Sequence, residues 1–417
     1  MEYFTSIGFL VLGVILYSLI ALNNRDFFHP SAVGAFIWFL TSSISLYPGF
    51  YDWSIQEYIS VETTVSVAMA GVFFSVPAIL LRVNFKEVLR ARHSDARIEF
   101  GAIYYTFINF FSVLTLLAFF VRFEGQLGSP ALFAIGQSID IKNNVPDGIP
   151  ILHYFDYITP IVALTLIYEW FFNDRVSRKR RIVIALYMSF VVISTVFYKV
   201  SRGEFLLICL GFVYLLYAKS VISGRRVFIK LFLWIFALLV VVVLLGVLRI
   251  SEQSRVSGQF GEGVGIVFSQ IYTYFSFNFQ NLNALVVSET PHTYVWATWR
   301  FLLKFFYAGD FRQAFDIVDY ELLFFNAKTF IYYFYHDLGI PGVILYSFLI
   351  GSFVELVYKV SVRDISFVLV LAVIQKPIFF LFFGNYFFGE FIMVFGLLFT
   401  FAAVFTMRCR VRGNAFA

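Results

Sequence analysis

Residues 178–222 read RKRRIVIALYMSFVVISTVFYKVSRGEFLLICLGFVYLLYAKSVI. Two apolar runs, 182–198 and 205–222, flank a polar turn, Lys199-Val200-Ser201-Arg202-Gly203-Glu204, and four cations precede the first run. At a rise of about 1.5 Å per residue each run approaches the roughly 30 Å of a bilayer's hydrocarbon. So short a link makes them a helical hairpin. The turn emerges on the face opposite the four cations.

Working outward, runs of this kind recur at 4–22, 31–47, 61–81, 100–121, 154–172, 228–248, 330–358, 365–383 and 386–406. The expectation is an all-α polytopic membrane protein of roughly eleven transmembrane helices, a single integral membrane domain over 1–417. Composition agrees. Sixty per cent of residues are apolar and only 14% charged, with a mean hydropathy of +0.82, which excludes an ordinary soluble domain of this length. The aromatic share of 21% points to interfacial belts or an aromatic-lined cavity. The run at 330–358 is too long for one straight crossing, so its aromatic start is placed at the interface. The first run lacks a basic leader and a small-residue cleavage site, and reads as a retained helix. Cys209 and Cys409 lie far apart near the inner side, so neither a disulfide nor a metal site is expected.

Basic residues orient the chain. With the N-terminus outside, short inner loops hold Arg25, the group Arg82 to Arg97, the cluster Arg175 to Arg181, then Lys219 to Lys230, Lys359, Arg363 and Arg408 to Arg412. These are most of the 31 Lys and Arg, and the positive-inside rule therefore puts the N-terminus out and the C-terminus in. The segment 249–329 is then one long outer loop. It carries two amphipathic stretches, 266–287 (IVFSQIYTYFSFNFQNLNALVV) and 295–307 (VWATWRFLLKFFY), which read as helices lying on the outer leaflet.

Four outer arginines, Arg202, Arg249, Arg255 and Arg300, are candidate ligands for phosphate, since a guanidinium stays charged and matches phosphate oxygens in pairs. The plainer reading of any one of them is a residue snorkelling at a helix end. Arg202 is the best placed, with Gly203 permitting a tight turn and Ser201 available to cap the next helix. A turn in which Arg202 and Glu204 simply pair is its rival. Further along, Asn326, Thr329 and Tyr333 sit at the lip of a helix with side chains suited to a sugar, and His336 and Asp337 are candidate proton acceptors. An aromatic belt and a solvated pair are the structural alternatives. Lys376 and Glu390 stand at similar depth within the last two runs, where an ion pair or a proton relay would reconcile them with lipid. Walker, Gly-x-Ser-x-Gly, His-Glu-x-x-His and Cys/His patterns are missing, and Asp316-x-x-Asp319 is too weak to claim a metal.

Three features come in order: Ser201-Arg202-Gly203, the aromatic, amide-rich stretch 274–282 (YFSFNFQNL) with Asn278, and Asn326-Ala-Lys-Thr329 followed by Asp337-Leu-Gly339-Ile-Pro-Gly342. Together they resemble the O-antigen polymerase (oligosaccharide repeat unit polymerase) family over roughly the C-terminal half. The resemblance implies a GT-C-like membrane glycosyltransferase of the bacterial inner membrane, working at the periplasmic face. Its substrate would be an undecaprenyl-diphosphate-linked oligosaccharide, its chemistry free of cofactor and metal, and a chain-length regulator protein a possible partner; no nucleic acid is involved. Arg202, Arg249, Arg255 and Arg300 would steady the departing diphosphate, and Asp337, His336 or Glu204 would be the base. The related ligases carry a His where this chain has Lys328 or Thr329. A ligase, and more distantly a lipid-linked oligosaccharide flippase or other secondary transporter, are the alternative functions.

Overall fold

The computed structural model describes residues 2–51, 56–82, 96–124, 150–199, 201–224, 264–303, 313, 315–321, 327–387 and 391–411. The expected span at 228–248 lies outside them. Helices dominate: α1 (Glu2–Asn23), α2 (Pro30–Ser45), α3 (Val61–Leu80), α4 (Ala102–Phe123), α5 (Pro150–Tyr157), α6 (Thr159–Phe172), α7 (Arg178–Ile193), α8 (Arg202–Ile222), α9 (Val264–Val287), α10 (Tyr332–Arg363), α11 (Val368–Phe379) and α12 (Phe391–Thr406). A two-stranded antiparallel ladder pairs β1 (Ala96–Phe100) with β2 (Met407–Val411), Arg97 facing Arg410 and Glu99 facing Arg408. Among the described residues six helices are long and apolar enough to cross a membrane, and four shorter apolar helices accompany them.

Local chemistry sets the helix starts. Ser60, Ser177 and Ser201 each accept a hydrogen bond from the backbone N–H three residues on, at Thr63, Arg180 and Glu204, which satisfies one of the four orphan donors of each helix. The run at 330–358, too long for one straight crossing, is interrupted at Gly339, whose φ of 64° and ψ of −149° suit glycine. Pro341 then restarts the helix.

The chain divides into two compact units, each assembled from separate pieces: 1–85, 256–359 and 377–394 in the first, 86–255, 360–376 and 395–417 in the second. Neither is a terminal domain that could be cut away at one point.

In the first unit Trp38 is the pivot. Its indole N–H donates to the Val67 carbonyl at 2.9 Å and its ring meets Phe279 and Phe330. Such close approach needs small residues. A Cβ built on Gly351 would stand 2.2 Å from the Phe74 carbonyl oxygen, so backbones touch where α3 meets α10. Here α9 departs from expectation. Its amides Gln280, Asn281 and Asn283 are buried and bond the Glu57 and Tyr58 carbonyls, the Ser60 N–H, the Thr63 hydroxyl and the Ala327 carbonyl. The polar stripe faces protein, not water: α9 packs into the unit rather than lying upon a leaflet. Of the second predicted amphipathic stretch, 295–299 form turns and Arg300–Leu303 a helical turn, and 304–307 lie outside the described residues.

In the second unit α6 is buried from Thr159 to Glu169 and the start of α11 throughout, as expected of inner helices. Arg180 clamps the carboxylate of buried Glu169 through Nε and Nη2 and bonds Asn109 through Nη1. Around this interior the unit leaves Ile103, Phe110, Val113 and Leu117 of α4 and Ile182, Val183 and Leu186 of α7 exposed. On α1 of the first unit Phe4, Ile7, Val11 and Ile15 are likewise exposed, at helical spacing.

Candidate functional site

The second unit gathers charge at the Ser201–Glu204 turn. Helix α7 ends in a π-turn, Ser194–Tyr198, a wide turn that is rare and often sited where function lies. It delivers Lys199, which is buried. Its Nζ lies 2.7 Å from Asp156 Oδ1, donates to the Asp156 carbonyl at 3.1 Å and donates to Glu204 Oε2 at 3.0 Å. From the end of α4, Arg122 Nη1 donates to Asp156 Oδ2 at 2.9 Å. Asp156 itself is sealed within the protein, while Glu204 and Arg122 keep 14% and 15% of their side chains exposed. Burial alone would depress the Lys199 ammonium, but Asp156 and Glu204 outweigh it and hold the group above its ordinary value.

Lys376 belongs to this site as well. A Cβ built on Gly203 would lie 3.5 Å from its Nζ. The pairing foreseen with Glu390 falls outside the described residues; the lysine Nζ stands beside Gly203 of the Ser201-Arg202-Gly203 turn. Ser201 does cap α8. Arg202 opens that helix, with its side chain outside the described residues. Glu204 turns to Lys199, not to the helix end, for the Ser201 N–H donates to the Thr195 carbonyl. Arg122 and Lys199 thus meet on Asp156, Lys199 also holds Glu204, and Lys376 stands beside Gly203 of the same turn.

The first unit holds a second cluster. The Arg300 guanidinium lies 4.0 Å from the centre of the Tyr333 ring and 3.5 Å from Asp319 Oδ2. Lys328 stands 3.1 Å from Asp319 Oδ1, to which the Tyr333 hydroxyl also donates at 2.8 Å. Burial would raise the Asp319 carboxyl; Lys328, Arg300 and Tyr333 overcome it and hold the group below the usual carboxylate range. Tyr332 extends the aromatic wall, its ring 5.5 Å from Lys328 Nζ.

Two of the three proposed bases prove to be committed elsewhere. Asp337 is buried, and its carboxylate accepts from the Thr293 hydroxyl (2.7 Å), the Ala297 N–H (2.9 Å) and the Thr298 N–H (2.9 Å). Beside it His336 accepts the Val318 N–H at Nε2 and meets the Thr293 hydroxyl at Nδ1, which puts the proton of a neutral ring on Nδ1. These bonds clamp the 293–298 and 317–318 segments. Thr329 is likewise buried and its carbonyl starts the turn into α10. Asn278 is buried too, its amide donating back to the Tyr274 carbonyl. Arg249, Arg255 and Asn326 lie outside the described residues.

Sequence reasoning passed over Asp156, although a carboxylate inside the apolar run 154–172 is a signal in itself. It also left Arg122, Asp319 and Lys328 unassigned. Comparison with protein-family models, with curated proteins and with solved structures finds no match. What the fold does define is a class. Apolar side chains occupy both the interior and the exposed faces of long helices, an arrangement that only a hydrocarbon solvent stabilises. The chain is a membrane-embedded protein of many helices.

Proposed function

We propose that this protein is a membrane glycosyltransferase that polymerises polyprenyl-diphosphate-linked oligosaccharide repeat units, as its resemblance to the O-antigen polymerases implies. In this reading it has a GT-C-like arrangement in the inner membrane and acts at the periplasmic face. The observation that carries the reading is the gathering of Arg122 and Lys199 on buried Asp156, beside Glu204 and the Ser201–Gly203 turn that Lys376 approaches. Cations fixed by a buried carboxylate at a helix end form a preorganised seat for an anion whose charge grows as it leaves. A lipid-linked diphosphate is such an anion, and it is already activated, so nucleotide and metal have no task.

The test is surface-polysaccharide gel analysis of a deletion strain complemented with wild-type protein or Arg202→Ala. Deletion leaves a single repeat unit on the lipid and no ladder. Wild-type restores the ladder, and Arg202→Ala at normal protein level fails to, with a loss on the order of a hundredfold or more, typical of removing one transition-state donor. Loss of even the single-unit band would favour ligation or export, and an unchanged ladder would favour transport.

A further inference from the structure

Glu204 is the weakly held member of its cluster. Lys199 Nζ donates to the Asp156 carbonyl and to Glu204 Oε2 and stands 2.7 Å from Oδ1 of Asp156; Asp156 is sealed, whereas Glu204 reaches solvent. Among the described residues no second donor holds the Glu204 carboxylate. The return bond that a Ser-x-x-Glu capping box would supply is not made, because the Ser201 N–H is taken by Thr195. Among the described residues the charged and titratable groups near it are Arg122 from α4, Asp156 and Tyr157 from α5, Lys199 after α7 and Lys376 from α11; Arg202 is two residues away in sequence.

We propose that Glu204 occupies, in the resting protein, the place on Lys199 that a substrate phosphate takes, and that the arriving diphosphate frees its carboxylate to act as general base. This rests on the glycosyltransferase reading of the same site. A diphosphate brings more charge and more acceptor oxygens than one carboxylate, so it wins Lys199. Glu204 then loses the hydrogen bond from Lys199 that occupied its carboxylate, and the freed oxygen is available to accept a proton. The acceptor hydroxyl oxygen forms its bond to the anomeric carbon as the bond from that carbon to the diphosphate oxygen breaks. The departing polyprenyl diphosphate keeps the electron pair, and the hydroxyl proton passes to Glu204. Donor binding thereby switches on the base, and an empty site has none. Asp156 is a positioning residue: it anchors Lys199 and Arg122 so that only Glu204 is displaced.

The experiment measures binding of farnesyl diphosphate, a short polyprenyl diphosphate, to the full-length chain in nanodiscs. Glu204→Gln removes the internal competitor. It binds the probe tighter by on the order of tenfold, since a charge-assisted hydrogen bond no longer has to break, yet it makes no polymer. Lys199→Met binds more weakly than wild-type. Glu204→Ala serves in the same way if the Gln variant does not fold. A folded Glu204 variant that binds no tighter than a wild-type protein that does bind overturns the inference and leaves the reading of the site standing. Binding by neither wild-type nor variant overturns both.

Discussion

Asp319 and Asp337 show how differently two buried carboxylates are used. Asp337 accepts from three neutral donors and ties a loop to a helix. Asp319 is balanced by Lys328 and Arg300, and its depressed proton affinity has a consequence for stability. A carboxyl whose folded value is lowered stabilises the fold above its unfolded pKa (~3.9), and that contribution disappears as pH falls through the lower folded value. Asp319→Asn is therefore expected to unfold more easily than wild-type at pH 7, by about 1.5–3 kcal/mol. The gap narrows as acid is added below pH ~4. Thermal unfolding of both proteins across that range checks the sign, and a gap that widens in acid would contradict it.

At the scale of the element, helix contacts in lipid gain little from the hydrophobic effect and depend on close packing of backbones. Gly351 is the sharpest instance, for its missing Cβ leaves room for the Phe74 carbonyl of α3. Gly351→Ala should cost about 1–3 kcal/mol through forced separation of α3 and α10. Gly8→Ala makes the control, because a Cβ there meets nothing within 4 Å and alanine favours the helix. Melting temperatures in detergent should fall for the first variant and hold or rise for the second. The inverted stripe of α9 belongs to the same scale. Its period was legible, but periodicity gives the width of a face and not what covers it, so buried amides could pass for solvated ones.

Across the whole molecule, the β1–β2 ladder constrains how the chain threads the bilayer. β1 leads directly into α4 and β2 follows α12, and Arg97 pairs with Arg410. The start of α4 and the end of α12 therefore lie on one face, and an even number of crossings separates them. The eight apolar runs expected between residues 100 and 406 meet that condition. In a background with Cys209 and Cys409 replaced by Ser, Arg97→Cys and Arg410→Cys should react alike with an impermeant maleimide. The orientation we propose has both shielded in spheroplasts and labelled in inverted vesicles; opposite reactivity at the two positions would break the ladder.

The amino-acid sequence alone determined the membrane class, most helix positions and the cap at Ser201. Each of these depends on hydropathy over one turn-to-turn stretch or on a bond spanning three or four residues. Only the tertiary structure decided which charges meet. Asp156 finds Arg122 34 residues earlier in the chain and Lys199 43 later, and Asp337 spends itself on a loop some 40 residues upstream. An ion pair or hydrogen bond forms only when groups come within 3 to 4 Å, and helix packing, which no local pattern encodes, sets that distance.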